Sequence, residues 1–184
     1  MPRPPGGMGL PNKITFLRIL FVPLVVIALL SASRHAGELA AAILIVASIT
    51  DWLDGYFARK RGQSTAVGKL LDPIADKLLV LGALVPLVGL GRVPAWIVVV
   101  IVGREIAVTG LRSIAASQGI VIRARELGKL KTVSQMVALI MLVLDYQVGG
   151  VSFRLTGNAV LVGAMALGVA SGAQYFVNFW GKVD

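Results

Sequence analysis

Apolar residues fill six long stretches of this chain, and polar or Gly/Pro-rich segments separate them. A helix needs about 20 mostly apolar residues to cross the hydrocarbon core of a bilayer. Each stretch is close to that length, so the pattern predicts an all-α, polytopic membrane protein with six transmembrane helices. The predicted helices cover residues 12–31, 38–58, 69–90, 94–117, 127–146 and 154–179.

The N-terminal segment differs in composition from the rest of the chain. Residues 1–11 are rich in Pro and Gly, which predicts a flexible cytoplasmic tail before one membrane domain at residues 12–184. Asn12 is expected to cap the first helix. The basic start and the small residues 31–33 also resemble a signal peptide with its cleavage site. We favour a retained helix, because Asn12, Thr15 and Arg18 recur on one of its faces.

The distribution of basic residues predicts the orientation of these helices. Of the eighteen Lys and Arg residues, only Arg34, Arg92 and Arg154 fall on one side of the six predicted spans, and the other fifteen fall on the opposite side. Loops rich in Lys and Arg stay in the cytoplasm. Both termini are therefore expected to face the cytoplasm, in the cell (inner) membrane or its equivalent.

The second to fifth predicted spans are apolar in their outward halves and polar in their inward halves. The second span passes from the apolar run 39–46 to Asp51 and Asp54, while the third begins with Lys69 and Asp72 and ends in plain apolar residues. Each charge exposed to lipid would cost about 2.5–3.5 kcal/mol even on the lenient insertion scale. These helix ends are therefore expected to surround a water-filled cavity that is open to the cytoplasm.

Composition supports a membrane location and narrows the possible chemistry. The chain is 57% hydrophobic and 15% charged, which is too apolar for a soluble domain of 184 residues. Its net charge of +9 fits an anionic lipid surface rather than nucleic acid. The absence of cysteine excludes thiol chemistry, and the single histidine, His35, excludes a histidine metal site or a Ser-His-Asp triad. Any metal would be held by carboxylates, which favours Mg²⁺ or Mn²⁺.

Four of the nine acidic residues are Asp51, Asp54, Asp72 and Asp76. Because the first two are three residues apart and the last two are four apart, each pair is expected on one face of its own helix. The polar segment 59–65 is predicted to form a turn that lets the two helices return antiparallel. Four carboxylates in one cleft would repel one another unless cations neutralise them, so we infer a site for two divalent ions.

Small residues accompany these aspartates on the same predicted helix faces. Gly55 and Ala58 follow Asp51 by four and seven residues, and Gly68 precedes Asp72 by four. Their size would let a bulky ligand reach the backbone beside the metals. A two-metal clamp suits a diphosphate, because it polarises the phosphorus and stabilises the leaving oxygen.

Together these residues resemble the full signature of the CDP-alcohol phosphatidyltransferase family, with all eight fixed positions present. The resemblance implies a six-helix membrane enzyme, usually a homodimer, in which an acceptor alcohol displaces CMP from a CDP-linked lipid with the help of Mg²⁺ or Mn²⁺. The matching positions are Asp51, Asp54, Gly55, Ala58, Arg59, Gly68, Asp72 and Asp76.

Three further segments are similar to those of family members that use sn-glycerol 3-phosphate as the acceptor. They are residues 10–18, 103–112 and 128–135. The resemblance implies that the donor is CDP-diacylglycerol and that the products are phosphatidylglycerophosphate and CMP.

The resemblance also implies roles for individual residues. Asp51, Asp54 and Asp72 would ligate the two metals, and Asp76 would act as a further ligand and as the general base. The residues expected to bind the CDP group are Asn12, Thr15, Asp54, Gly55, Ala58, Arg59 and Gly68.

The phosphate of the acceptor requires a second group of cations. The candidates are Arg104, Arg112, Lys129 and Lys131, and the sequence does not show whether they converge. The two lysines are equally well explained as residues that set topology. Glu105 would either orient a neighbouring arginine or only balance charge.

Two alternative functions remain open at this stage. Another enzyme of the same family would differ only in its acceptor, as in the synthases of cardiolipin, phosphatidylserine or phosphatidylinositol phosphate. A cation transporter with an acidic site in the membrane is a more distant alternative. Its path should be polar through both halves, whereas the outward halves of these spans are apolar.

Overall fold

A computed structural model describes residues 10–31, 33, 35–61, 66–118 and 126–183, without the side chains of residues 10–16, 51–73, 76, 126–127 and 182–183. The described residues are almost entirely helical, which confirms the all-α prediction. They form six helices and one short hairpin: α1 (Leu10–Leu30), α2 (Ala36–Arg61), α3 (Ala66–Gly89), α4 (Ala95–Ser117), α5 (Glu126–Leu144), β1 (Gln147–Val148), β2 (Val151–Ser152) and α6 (Phe153–Val183).

The chain divides into two compact units at residues 86 and 87. In the first unit, α1 packs along α2, and Val25 and Leu44 are fully buried. Gly82 of α3 lies so close to α1 that a Cβ atom there would stand 2.8 Å from Cγ1 of Val22. A glycine at this position therefore lets α3 approach α1 closely, as small residues do between membrane helices.

In the second unit, residues 87–184, α6 packs against both α5 and α4. Leu142 and Leu161 are fully buried in α5 and α6. Towards the C-terminal ends of α4 and α6, a separate buried cluster joins the two helices through Val108, Leu111, Ala115, Tyr175 and Phe179. The long helix α6 is thus the element on which its two neighbours are assembled.

Two predicted helix boundaries were wrong. Helix α1 begins at Leu10, so Asn12 lies in its first turn and does not cap it. Pro11 fits this turn, because proline has a helical φ and the first turn needs no N–H donor. Helix α2 continues to Arg61, so Arg59, Lys60 and Arg61 are helical and only residues 62–65 separate α2 from α3. Basic side chains near a helix C-terminus are favoured by the helix dipole.

The hairpin between α5 and α6 was not predicted from the sequence. Helix α5 ends at Leu144, and Val148 and Val151 flank a turn made of Gly149 and Gly150. Both glycines have positive φ, of 58° and 81°, as a type I′ turn requires. The Gly-Gly pair is a recognised signal for such a turn, but the strands are only two residues long and show no alternating pattern.

By length and composition alone, one helix among the described residues is apolar enough to cross a membrane: residues Phe153–Gly181, with a mean hydropathy of 1.6. Shorter apolar stretches lie at Leu17–Leu30, Ala36–Thr50 and Lys77–Gly89. The last two are the halves of α2 and α3 that the sequence predicts to be apolar.

Candidate functional site

The four aspartates of the predicted metal site lie in helices, as their spacing requires. Asp51 and Asp54 belong to α2, and Asp72 and Asp76 belong to α3, with no break between the members of either pair. Their side chains are outside the described part of the chain. Among the side chains that are described, no group of three acidic, histidine or cysteine residues is placed to hold a metal.

The residues predicted to bind the CDP group also lie on the first three helices. Asn12 and Thr15 are in the first turns of α1, and the rest are in the charged halves of α2 and α3. The side chains of these residues are likewise outside the described set, so their contacts stay predictions. The remaining five are Asp54, Gly55, Ala58, Arg59 and Gly68.

The structure brings together two of the four cations predicted for the acceptor phosphate. Arg104 of α4 donates a hydrogen bond from Nη1 to Oε1 of Glu105, at 2.8 Å. Lys131 of α5 donates from Nζ to the same carboxylate oxygen. All three side chains are largely buried, with exposed fractions of 12% for Arg104, 21% for Glu105 and 10% for Lys131. We call these three residues the Glu105 cluster.

Helix α6 also contacts the Glu105 cluster, whose residues belong to α4 and α5. The Nε atom of Arg104 donates to the main-chain oxygen of Gly168, at 2.8 Å, and its Nη2 lies 3.5 Å from Oγ of Ser171. Ser171 is only 1% exposed. The guanidinium group is therefore held from two sides, by a carboxylate on its own helix and by polar atoms of α6. Charge-assisted bonds of this kind are about twice as strong as neutral ones.

The cluster retains a net positive charge that suits an anion. Two cations share one carboxylate, so the sum is +1 for Arg104, Glu105 and Lys131 together. A guanidinium has five N–H donors and an ammonium has three. The hydrogen bonds of Arg104 to Glu105, Gly168 and Ser171 engage three of its five donors. The arrangement therefore has both the charge and the donors to bind a phosphate group.

The other two predicted cations are placed differently. Arg112 and Lys129 are exposed on α4 and α5, whereas Arg104 and Lys131 are largely buried. Lys129 is only two residues before Lys131, and a two-residue step on a helix turns a side chain to another face. The sequence therefore did not distinguish the buried cations, Arg104 and Lys131, from the exposed ones.

Sequence reasoning missed the contribution of α6 to this site. Gly168, Ser171 and Gly172 were not singled out, and Glu105 was left with two possible roles. The available signal was the small residues at 168 and 172 in an otherwise apolar helix, a spacing that allows another helix to approach closely. The structure confirms that Glu105 bonds to its neighbouring arginine, and it adds the bond to Lys131.

A second group of ions, the Asp145 cluster, joins the start of α6 to the end of α5. Arg154 donates to both carboxylate oxygens of Asp145, at 3.0 and 2.5 Å, and Arg92 lies 3.4 Å from one of them. Arg92 also donates to the carbonyl oxygens of Leu142 and Val143, at 3.2 and 2.8 Å. It therefore caps the C-terminus of α5, where carbonyl groups lack helical partners. Arg92 and Arg154, two of the three basic residues predicted on the outward side, thus have a structural role.

The Asp145 cluster predicts a pH-dependent contribution to stability. The hydrogen bonds from Arg154, and then the charge of Arg92, hold the pKa of the Asp145 carboxyl below its ordinary value of 3.8. A lowered pKa contributes stability that is fully present above pH 3.8 and is lost as the pH falls through the folded-state value.

Replacing Asp145 by Asn should therefore lower the stability of the folded protein at pH 7 by about 1 kcal/mol, the usual scale for a partly exposed ion pair. Asparagine tolerates the positive φ of 50° at this position, so backbone strain is not a competing cause. The measurement is thermal unfolding in detergent at pH 7 and at pH 3.5. The variant should melt below the wild type at pH 7, and the gap should narrow in acid.

Glu38→Gln is a suitable control for Asp145→Asn, because Glu38 is exposed and pairs with His35 within a single turn. It should leave the melting temperature nearly unchanged. Equal melting of Asp145→Asn and the wild type at pH 7 would show that the Asp145 cluster does not stabilise the fold.

The helical fold and the aspartate signature together define a class of membrane-lipid transferases. The chain belongs to the CDP-alcohol phosphatidyltransferase family, whose sequence model matches residues 8–170. This range includes all four aspartates and the Glu105 cluster, and it confirms the resemblance found in the sequence. Members of this family use divalent metal ions.

Relatives from two bacteria match more than nine tenths of the chain, and a plant relative matches about three quarters of it. A protein of Bacillus subtilis (strain 168), named CDP-diacylglycerol–glycerol-3-phosphate 3-phosphatidyltransferase, is 46% identical over 185 residues, which cover 94% of this chain and 95% of the relative. A protein of Rickettsia felis with the same name is 36% identical over 169 residues, covering 91% and 93%. A cardiolipin synthase (CMP-forming) from Oryza sativa subsp. japonica is 39% identical over 155 residues, covering 77% of this chain but 47% of the relative.

Proposed function

We propose that this protein transfers the phosphatidyl group of CDP-diacylglycerol to sn-glycerol 3-phosphate, producing phosphatidylglycerophosphate and CMP. Family membership supports the reaction class, and the names of the Bacillus and Rickettsia relatives support this donor and acceptor. The protein would thus be a transferase of phospholipid synthesis.

The observation that favours glycerol 3-phosphate over a phosphodiester lipid as the acceptor is the Glu105 cluster. Glycerol 3-phosphate brings a compact phosphate dianion, whereas a phosphodiester lipid brings a single negative charge. Arg104 and Lys131 form a buried cationic pair of the kind that a dianion needs, and the low local dielectric strengthens each charge-assisted bond. Arg112 and Lys129 would contribute from the exposed rim of the same helices.

The donor would be bound by the first three helices. Asp51, Asp54, Asp72 and Asp76 lie on two uninterrupted helices and would provide an all-carboxylate donor set, which suits two hard divalent cations, Mg²⁺ or Mn²⁺. When bound, these ions would polarise the diphosphate and stabilise the departing CMP. Arg59 would bind the nucleotide phosphate in a bidentate contact, and the small residues beside it would leave room for the cytidine.

Asp76 would be the general base. Its carboxylate would take the proton from the primary hydroxyl of glycerol 3-phosphate, so that the hydroxyl oxygen attacks the β-phosphorus as the bond to CMP breaks. Arg104 and Lys131 would hold the acceptor by its phosphate group and so fix the position of this hydroxyl. Holding the nucleophile in place lowers the entropic cost of the reaction.

We also propose that the six helices span the inner membrane, with both termini and the active site on the cytoplasmic side. The apolar halves at Ala36–Thr50 and Lys77–Gly89 support this topology, because they leave the charged halves of α2 and α3 on the side that is rich in basic residues. The acyl chains of the donor would then stay in the bilayer, while the acceptor arrives from the cytoplasm. By family resemblance, the protein would act as a homodimer.

An acceptor panel tests this function. The purified protein in detergent is given CDP-diacylglycerol and Mg²⁺ or Mn²⁺, and CMP release is measured with glycerol 3-phosphate, phosphatidylglycerol, serine or inositol phosphate. We expect release with glycerol 3-phosphate that stops when a chelator removes the metal. Incorporation of radiolabelled acceptor into lipid should match CMP release one to one.

The similarity to a cardiolipin synthase makes phosphatidylglycerol the main competing acceptor. CMP release with phosphatidylglycerol, and none with glycerol 3-phosphate, would overturn the proposed acceptor while leaving the family assignment intact. Metal-dependent ion flux in proteoliposomes without any CMP release would instead favour the transporter alternative.

A further inference from the structure

One face of α6 lies directly against the two cations of the Glu105 cluster. A Cβ atom built on Gly168 would stand 3.3 Å from Cδ and 3.5 Å from Cγ of Lys131, and 3.8 Å from Nε of Arg104. A Cβ atom on Gly172 would stand 3.5 Å from both Cγ and Nε of Arg104. The stem of the lysine and the guanidinium group therefore rest on the bare backbone of this helix.

A direct hydrogen bond fixes this contact. Arg104 donates from Nε to the carbonyl oxygen of Gly168, at 2.8 Å, while its Nη1 donates to Glu105. Lys131 reaches the same carboxylate oxygen with its stem lying over Gly168. Gly168 is thus the point on α6 where both cations of the cluster are in contact with the helix. Its carbonyl oxygen accepts a hydrogen bond from Arg104, and its lack of a side chain leaves room for the stem of Lys131.

A methyl group at position 168 would disturb this arrangement by a small amount. A separation of 3.3 Å is tighter than ordinary van der Waals contact, so the Lys131 stem would have to shift by a few tenths of an ångström. Because a lysine stem is flexible, the shift would not prevent folding. It would move the ammonium group that the phosphate contacts, and binding sites for reacting groups are sensitive to displacements well below 1 Å.

We propose that Gly168 is a positioning residue of the acceptor site: its carbonyl oxygen and its lack of a side chain set where Arg104 and Lys131 meet the phosphate of the acceptor. This inference rests on the proposed function of the cluster and assigns a role to α6, the helix that sequence analysis left without one. Gly168 does not touch the acceptor; it acts through the two cations.

A series of Gly→Ala substitutions on α6 tests the inference. All of them add the same methyl group to the same helix and gain the same helix propensity. Gly163 is the matched control, because a Cβ atom there has nothing within 4 Å. Gly168→Ala should raise the KM for glycerol 3-phosphate about five- to tenfold, on the scale of a small misplacement of a binding group, while the KM for CDP-diacylglycerol changes less than about twofold.

The increase in the KM for glycerol 3-phosphate should become smaller from Gly168→Ala to Gly172→Ala and should be absent in Gly163→Ala. Gly172→Ala should raise the same KM about twofold, because its nearest contacts are ordinary ones at 3.4–3.5 Å. Gly163→Ala should leave both KM values at the wild-type level. All three variants should melt at or above the wild-type temperature, since alanine is favoured over glycine in a helix. A lower melting temperature for Gly168→Ala, or a parallel rise in both KM values, would show that the residue serves packing alone and would overturn the inference.

A double-substitution cycle identifies the lysine as the group that is displaced. In a Lys131→Ala background the stem atoms near Gly168 are gone, so adding Gly168→Ala should change the KM for glycerol 3-phosphate less than about twofold. Independent, additive effects of the two substitutions would contradict the inference. Failure of the wild type to release CMP with glycerol 3-phosphate would overturn the proposed function instead. Equal KM values for Gly168→Ala and Gly163→Ala in an active enzyme would overturn only the role of Gly168.

Discussion

Asp76→Asn should lower kcat by about 10²- to 10⁴-fold, the range that a positioned general base contributes. Asparagine has nearly the same shape as aspartate but cannot accept the proton of the acceptor hydroxyl. The other three aspartates of the predicted metal site stay in place, so CDP-diacylglycerol should still bind with an affinity near that of the wild type. The measurements are kcat for CMP release and equilibrium binding of the lipid donor to the purified variant.

Asp145→Asn is the matched control for this substitution. It makes the same chemical change in the Asp145 cluster, at the end of α5, and it should keep the wild-type kcat when the assay runs well below its melting temperature. Unchanged turnover in Asp76→Asn would remove Asp76 from the role of base. Loss of donor binding together with turnover would show that Asp76 serves only as a metal ligand.

Lys131→Ala should raise the KM for glycerol 3-phosphate about 10- to 100-fold, because a hydrogen bond to a charged group contributes about 1.5–3 kcal/mol. Lys131 is 8% exposed, so water cannot readily replace the ammonium group. The substitution also leaves Glu105 with one cation fewer, and an unbalanced buried carboxylate repels an incoming phosphate. The KM for CDP-diacylglycerol should stay within about twofold of the wild-type value, because the proposed donor site is on the first three helices and does not include Lys131.

Three companion variants sharpen this test of the acceptor site. Thr132→Ala alters the next residue of α5, whose exposed hydroxyl bonds to the Gly128 carbonyl of its own helix, and it should leave both KM values unchanged. Lys129→Ala and Arg112→Ala should have smaller effects than Lys131→Ala, because both side chains are exposed. A selective loss of lipid affinity in Lys131→Ala would contradict the assignment of this lysine to the acceptor.

The sequence was sufficient to predict the helices because their signal is local. Long apolar stretches gave the six helices to within about four residues at each end, and the aspartate spacing gave pairs that the structure places in α2 and α3. The errors in the predicted helix boundaries also have causes in the local sequence. Asn12 has the residue type of a helix cap, but the helix already begins at Leu10. The segment from Arg59 to Arg61 is polar but helical.

The convergence of side chains could not be predicted in the same way. Arg104 meets Gly168 across 64 residues of sequence, and Glu105 meets Lys131 across 26. Contacts at such separations depend on how α4, α5 and α6 pack, and no periodic pattern in one helix encodes its rotation against another. The same reason explains why the buried Lys131 and the exposed Lys129 looked equivalent in the sequence.

The anchor of Arg104 on α6 is a main-chain atom, and this affects how the site responds to mutation over time. Every residue has a main-chain carbonyl oxygen. No substitution at position 168 can therefore remove the oxygen that accepts the hydrogen bond from Arg104 while α6 stays helical. A substitution at position 168 can alter this contact only by adding a side chain or by bending α6. In contrast, one substitution of Glu105 removes the carboxylate that binds both Arg104 and Lys131. Mutations that weaken binding of the acceptor substrate should therefore arise more readily at position 105 than at position 168.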